Sequence, residues 1–310
     1  MRGTFIKTLV EIADRDSRIV LLTGDLGYLV IEPFAQKFPQ RFFNVGVAEQ
    51  NLVGLASGLA EAGFIPFIYS IVPFAVLRPY EFIRNGPILQ HLPVRIIGTG
   101  GGFEYGINGA THYGLEDIGV LRIQPSITLI APADFEQARE ALLASWNLSG
   151  SVYYRLGKDD QTIVPGLRGQ FEIGRVQQIR NGTGFLLIAM GSITSEVLKA
   201  AETLALNGIS CALLVVSSLN PSPIGDLIKA LSTFKIAMTV EAHYIIGGLG
   251  SLISEVIAES GLSCRLIRCG VRDTPTGITG NHDYMLRLNG LKSDQLAAVA
   301  QKELQKEYQY

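Results

Sequence analysis

Short, wholly apolar runs alternate with amphipathic stretches along nearly the whole chain. Residues 3–14 place apolar and charged side chains at helical spacing, and the uninterrupted run 19–22 follows as a buried strand. Comparable runs recur at 42–47, 65–70, 93–98, 126–130 and 151–156. Between them, helices are predicted over 34–38, from 52 through the small residues that follow, over 74–84, 116–122 and 135–146, the last with Asp134 as its N-cap. Strands that are apolar on both sides and separated by helices belong to a mostly parallel sheet covered on both faces.

The pattern stops at 158–182, which is rich in Gly, Pro and charge, and then restarts. Strands are predicted at 184–190, 209–217, 236–241 and 263–269, with helices over 194–207, 223–232, from 251 to 260, and 293–306. The fold class is therefore α/β with two domains, each a mostly parallel sheet with helices on both faces. Their expected spans are 1–157 and 183–310, joined by a linker at 158–182.

Composition agrees and excludes other classes. Of 310 residues, 47% are apolar and 17% charged, enough apolar material for two-sided cores and too little charge for disorder. The net charge of -2 has no basic block behind it, so no nucleic-acid partner is expected. Cys211, Cys264 and Cys269 lack zinc-type spacing and suit a reducing cytosol. The first residues begin a charged helix rather than a signal peptide, and no apolar run reaches the ~20 residues of a membrane span. A cytoplasmic protein that contacts no membrane is the expectation.

Candidate chemistry gathers where strands end. Glu49 lies at a strand-to-helix junction between two apolar segments. A carboxyl kept dry there suits proton donation or acceptance, whereas a solvated one would only favour the helix dipole. Asp25, in the turn after the first strand, is either a ligand contact or a turn former. Phe74 is an aromatic bed or an ordinary core ring. The glycine run 100–102 reads as a flexible loop, because no helix start or Lys-Ser/Thr pair completes a phosphate loop. His112, in Gly-Ala-Thr-His-Tyr-Gly, is one of four histidines and is either a catalytic or a plain loop residue. Arg155 is a phosphate ligand or part of a structural ion pair. Glu241 and His243 are two possible metal ligands without a third, so no metal site is expected.

The run 45–51, Val-Gly-Val-Ala-Glu-Gln-Asn, followed by a small-residue helix, resembles the segment of thiamine-diphosphate enzymes that carries the cofactor-activating glutamate. It is most similar to the transketolase and deoxyxylulose-phosphate synthase group. Ser-Ile-Val-Pro-Phe-Ala-Val-Leu at 70–77, the His112 segment, and Thr-Val-Glu-Ala-His-Tyr at 239–244 with Gly-Gly-Leu-Gly-Ser at 247–251 match the family in order. The resemblance implies a pyrimidine-binding (Pyr) domain followed by a transketolase C-terminal-like domain. It implies that Glu49 bonds the aminopyrimidine of thiamine diphosphate and assists deprotonation of its thiazolium carbon. Phe74 stacks on the same ring, with Ile71 and Leu77 where the family often has further aromatics. His112, Asn108 and Arg155 are the implied substrate contacts, for ketose or aldose phosphates, and Asp25 is added as a candidate by its place at a strand's carboxyl end. Two positions depart from the family: Asn108 replaces an Asp and so cannot act as base or anion, and Gly100 replaces a His that helps hold substrate phosphate.

A complete enzyme of this group also has a domain with Gly-Asp-Gly and a later Asn, which hold Mg2+ and the diphosphate. That pair is missing here; Gly24-Asp25-Leu26 lacks the second Gly. The resemblance therefore implies a separate N-terminal, diphosphate-binding transketolase subunit, an α2β2 assembly, and two-carbon ketol transfer by the pair. The β chain of a 2-oxo acid dehydrogenase and a non-catalytic assembly subunit are the alternatives.

Overall fold

The computed structural model describes residues 1–275 and 277–307, so position 276 and the last three positions of the expected second domain lie outside the described residues. The first part runs α1 (Arg2–Ala13), β1 (Ile19–Thr23), α2 (Glu32–Lys37), β2 (Phe42–Asn44), α3 (Glu49–Glu61), β3 (Ile65–Ile71), α4 (Val72–Val76), α5 (Tyr80–Ile83), β4 (Arg95–Thr99), α6 (Asp117–Arg122), β5 (Thr128–Ile130), α7 (Phe135–Ser145) and β6 (Val152–Leu156). The second runs β7 (Gln177–Arg180), β8 (Phe185–Met190), α8 (Thr194–Leu206), β9 (Cys211–Val215), β10 (Ser218–Asn220), α9 (Ile224–Leu231), β11 (Ile236–Tyr244), α10 (Leu249–Glu259), β12 (Arg265–Val271), α11 (His282–Leu288) and α12 (Ser293–Glu307).

The first sheet has the order β10-β5-β6-β4-β3-β1-β2, the second β12-β11-β8-β9-β7. All pairings are parallel except the edge strands β10 and β7, which are antiparallel to β5 and β9. Side-chain alternation, with both faces covered, explains why the central strands are mostly apolar. Val20 and Leu22 pack with α3 and α6 residues such as Leu52, Val53 and Ile118, while Ile19 and Leu21 pack with Phe5, Phe34 and Leu142 on the other face. In β8, Leu186 and Ile188 join the first of these cores, and Leu187 and Ala189 pack against α8 and α12. One core is thus continuous across both sheets.

Three elements differ from the sequence reading. The predicted helix over 74–84 is broken into α4, α5 and a π turn at 84–88. Pro79 and Pro87 supply no backbone N–H, and the residue before a proline avoids helical geometry. The interval 158–182 is not all connection, because β7 adds an edge to the second sheet. And β10, beyond the linker in sequence, crosses back to the first sheet, where the Asn220 side-chain amide donates to the carbonyls of Ile127 and Pro125 at 2.6 and 3.2 Å.

A buried ionic network also joins the two halves. Arg155 on β6 donates to Asp117 at 2.9 Å, to the Gly114 carbonyl at 2.7 Å, and to the Ala242 carbonyl on β11 at 2.9 Å. The Tyr153 hydroxyl donates to the same Asp117 oxygen at 2.7 Å. The Asp117 charge and its hydrogen bonds outweigh burial and hold the Arg155 guanidinium above its ordinary value, although burial is the largest single influence and opposes this. Removing one member of a buried pair strands the other in a dry interior. Arg155→Met is therefore expected to cost about 3–5 kcal/mol in chemical denaturation. A loss under about 1 kcal/mol, the level of a surface pair, would show that the network carries no such weight.

Candidate active site

In open α/β sheets, ligands bind beyond the carboxyl ends of the strands. The ends of β1, β3 and β4 converge here with the start of α3. Glu49 is the first residue of α3 and only 1% exposed, on a helix that extends into the core through Leu52, Val53 and Ala56. A helix N-terminus favours an anion. Two glycines lie near the carboxyl. A Cβ on Gly24 would stand 3.6 Å from Glu49 Oε1 and 3.3 Å from the Gly46 carbonyl, and Gly46 itself has φ 73°, in the left-handed region.

Arg78 completes the carboxyl's surroundings. Its Nη1 donates to both Glu49 oxygens, at 3.1 and 3.0 Å. Its guanidinium carbon lies 3.9 Å from the centre of the Phe74 ring. Phe74 in turn meets His112 edge-on, with centroids 5.0 Å apart. The order Glu49, Arg78, Phe74, His112 therefore forms a continuous row. Burial, and then the positive charge of Arg78, hold the His112 imidazole below the ordinary histidine value, and its Nδ1 lies 3.0 Å from the Thr111 hydroxyl. A neutral imidazole here can donate or accept a hydrogen bond.

The remaining candidates divide. Ile71 is buried at the end of β3, and Leu77 is exposed beside Arg78, just after α4. Asp25 is exposed, in left-handed backbone at φ 60°, at the end of β1. Asn44 donates to its carboxylate at 2.9 Å and accepts from its N–H at 3.1 Å. Asn108 is exposed on the turn Gly106–Asn108, in the loop that carries His112. Arg155 is not in this group: it is 4% exposed and committed to the network between the two halves. A phosphate could reach it only by dismantling that network.

The glycine run is pinned rather than flexible. Gly102 and Gly114 exchange backbone hydrogen bonds at 2.8 and 2.9 Å. A Cβ on Gly101 would come within 2.7 Å of the Arg155 guanidinium, and one on Gly102 within 2.7 Å of Ala242. At Gly100 a Cβ would lie 2.2 Å from the Tyr105 ring, so Tyr105 holds the space that a histidine side chain would need. These glycines serve close packing.

Glu241 and His243 are engaged within the protein. Glu241 accepts from the N–H groups of Leu249 and Gly250 at the start of α10, at 2.7 and 2.8 Å, and burial pushes its carboxyl up to about 7 against those donors. His243 Nδ1 donates to the Tyr244 carbonyl at 2.6 Å, and Nε2 accepts from the Gly119 N–H at 3.2 Å. That pattern assigns the neutral tautomer, and burial lowers its ordinary value in the same sense. Among the described residues, no three His, Cys, Asp or Glu side chains group as a metal site.

Sequence reasoning missed Arg78. Its one signal was a cation immediately before Pro79, where a helix must end. The chemistry of the row fits an aminopyrimidine ring, which needs a dry carboxyl for its ring nitrogen and an aromatic face beside it. Glu49 and Phe74 supply both, and a single planar guanidinium touches the two together.

Comparison with known proteins agrees with this geometry. Residues 1–161 match the model of the transketolase pyrimidine-binding domain, and residues 174–296 that of the transketolase C-terminal domain. The chain is 34% identical to an apulose-4-phosphate transketolase subunit of Actinobacillus succinogenes, covering 87% of each protein. It is 33% identical to a 6-deoxy-6-sulfo-D-fructose transketolase subunit of a Clostridium species, over 97% of this chain and 93% of that one. A solved structure of a split-gene transketolase, in an inactive β4 tetramer, superposes with a TM-score of 0.88 at 34% identity, covering 98% of both chains. The pyrimidine-binding domain implies thiamine diphosphate as the cofactor. With both of its domain models matched in order and relatives aligned along nearly their full length, the chain belongs to the transketolase family of transferases.

Proposed function

We propose that this chain is the second-half subunit of a two-chain, thiamine-diphosphate-dependent transketolase. Its Pyr domain spans 1–157 and its C-terminal domain 183–310, to which the edge strand β7 also belongs. A partner chain carries the domain that holds the diphosphate and Mg2+, in an α2β2 assembly. The pair moves a two-carbon ketol unit from a ketose phosphate or related donor to an acceptor, in the cytoplasm. Among the described residues no helix is long and apolar enough to cross a membrane.

The observation that carries this reading is the dry Glu49 carboxyl, which Arg78 bridges to the Phe74 ring. Support for a second chain comes from the relatives, two of which are named as transketolase subunits. The site's placement points the same way. A cleft of about 600 Å³ lies elsewhere, lined by Glu104, Lys158, Ser192, Glu196 and Lys292 among others, and includes none of Glu49, Phe74 and His112. Glu49 itself is buried, but Arg78, 42% exposed, and the half-buried Phe74 and His112 reach the surface, where another chain would cover them.

Thiamine diphosphate, when bound, would supply the nucleophilic carbon of the reaction. The residues of this chain orient and polarise. Glu49 would hold a ring nitrogen and set its protonation, and Phe74 would stack on the ring, with Ile71 and Leu77 on the same segment as further apolar groups. His112 presents a neutral imidazole to substrate oxygens, with Asn108 and Asp25 at the rim as further hydrogen-bonding groups. An uncharged Asn108 restricts that rim contact to hydrogen bonding. The His112 segment and the subunit names of the relatives favour ketol transfer over 2-oxo acid decarboxylation.

Reconstitution tests the proposal. The chain combined with a partner bearing Gly-Asp-Gly should catalyse ketol transfer between sugar phosphates, and each chain alone should not. Glu49→Gln in the pair should lose about 100-fold or more in kcat with an unchanged melting profile. Turnover above a few per cent would remove Glu49 from this role. The acid limb of kcat/KM should fall below about pH 6.5, the ordinary histidine value, because protonation of His112 is disfavoured. An unchanged limb in His112→Asn would assign the titration to another group.

A further inference from the structure

Arg78 makes the two contacts that an aminopyrimidine ring would need. Its Nη1 donates to both oxygens of Glu49, at 3.1 and 3.0 Å, and its guanidinium lies 3.9 Å over Phe74. A guanidinium is planar and delocalised, carries N–H donors along its edge, and stacks on aromatic faces. It reproduces, with one side chain, the edge and face of a nitrogen heterocycle. The two occupants exclude each other, because Glu49 is 1% exposed and its oxygens already face Arg78.

Resting on the reading of Glu49 as the cofactor's carboxyl, we propose that Arg78 is a built-in stand-in for the aminopyrimidine, which cofactor loading displaces. The local fold suits such an exchange. Arg78 sits at the break between α4 and α5, directly before Pro79. Its side chain is 42% exposed while the carboxylate it holds is 2% exposed. The cation can therefore swing into water with little loss of packing, whereas Glu49 cannot follow it. A buried carboxylate left without a partner is strongly disfavoured, so the empty chain needs the guanidinium and the loaded site does not. Cofactor affinity is then a difference between two sets of contacts at the same carboxyl and ring.

This assignment requires effects of opposite sign. Loss of the stand-in should weaken the empty chain and strengthen cofactor binding. A structural ion pair would show only the first effect, and a direct cofactor ligand would weaken binding. The test uses Arg78→Met, Arg78→Lys and Glu49→Gln/Arg78→Met. In the chain alone, Arg78→Met should melt below both the wild type and the double variant, with Arg78→Lys in between. In the assembled pair with Mg2+, calorimetric titration with thiamine diphosphate should show binding about tenfold tighter for Arg78→Met, the equivalent of one lost ion pair. Equal melting of Arg78→Met and wild type, or cofactor binding that is unchanged or weaker, overturns the proposal and leaves the transketolase reading standing. If the wild-type pair binds no thiamine diphosphate at all, the functional reading falls and this inference with it, whatever the melting series shows.

Discussion

A carboxylate removed from water must be met by something, and at Glu49 the surrounding structure is arranged to do that. The side chain is fixed at the first turn of α3 by a helix whose apolar face is committed to the core. Its position cannot relax toward solvent without withdrawing Leu52 and Val53 from that core. Gly24 packs close by, with the Gly46 carbonyl 3.3 Å from where its Cβ would stand. What remains is a buried, rigidly placed group whose partner is Arg78, which in turn stacks on Phe74.

The sheet supplies the geometry that makes this possible. Parallel strands deliver all their carboxyl ends to one edge, so residues far apart in sequence meet there. Glu49 follows β2, Phe74 follows β3, and His112 belongs to the loop after β4. That loop is secured from behind by Arg155, which ties Gly114 to Ala242 across the two halves of the molecule. The site and the association of the two domains thus share a support. An arginine that resembles a phosphate ligand in the sequence is one of the supports.

The departures from the family pattern have physical counterparts. Tyr105 fills the space where a histidine at position 100 would extend, and the left-handed backbone there, φ 77°, favours glycine. With Arg155 buried as well, neither family phosphate contact is available on this face.

The sequence by itself determined the class of fold, because wholly apolar strands separated by amphipathic helices can be buried only in a parallel sheet covered on both sides. It also singled out three side chains within contiguous motifs, Glu49 at its junction, Phe74 after its strand and His112 in its glycine-rich segment, which the structure brings into one row with Arg78. The sequence did not reveal β10 crossing back to the first sheet or β7 joining the second, since a three- or four-residue edge strand is defined by its neighbour's hydrogen bonds. Nor did it separate Arg155 from Arg78. Both are arginines near strand or helix ends, and only packing decides that one is sealed against Asp117 while the other covers Glu49. Pairing of charges depends on distances through space, and those exist only once the strands have been brought side by side.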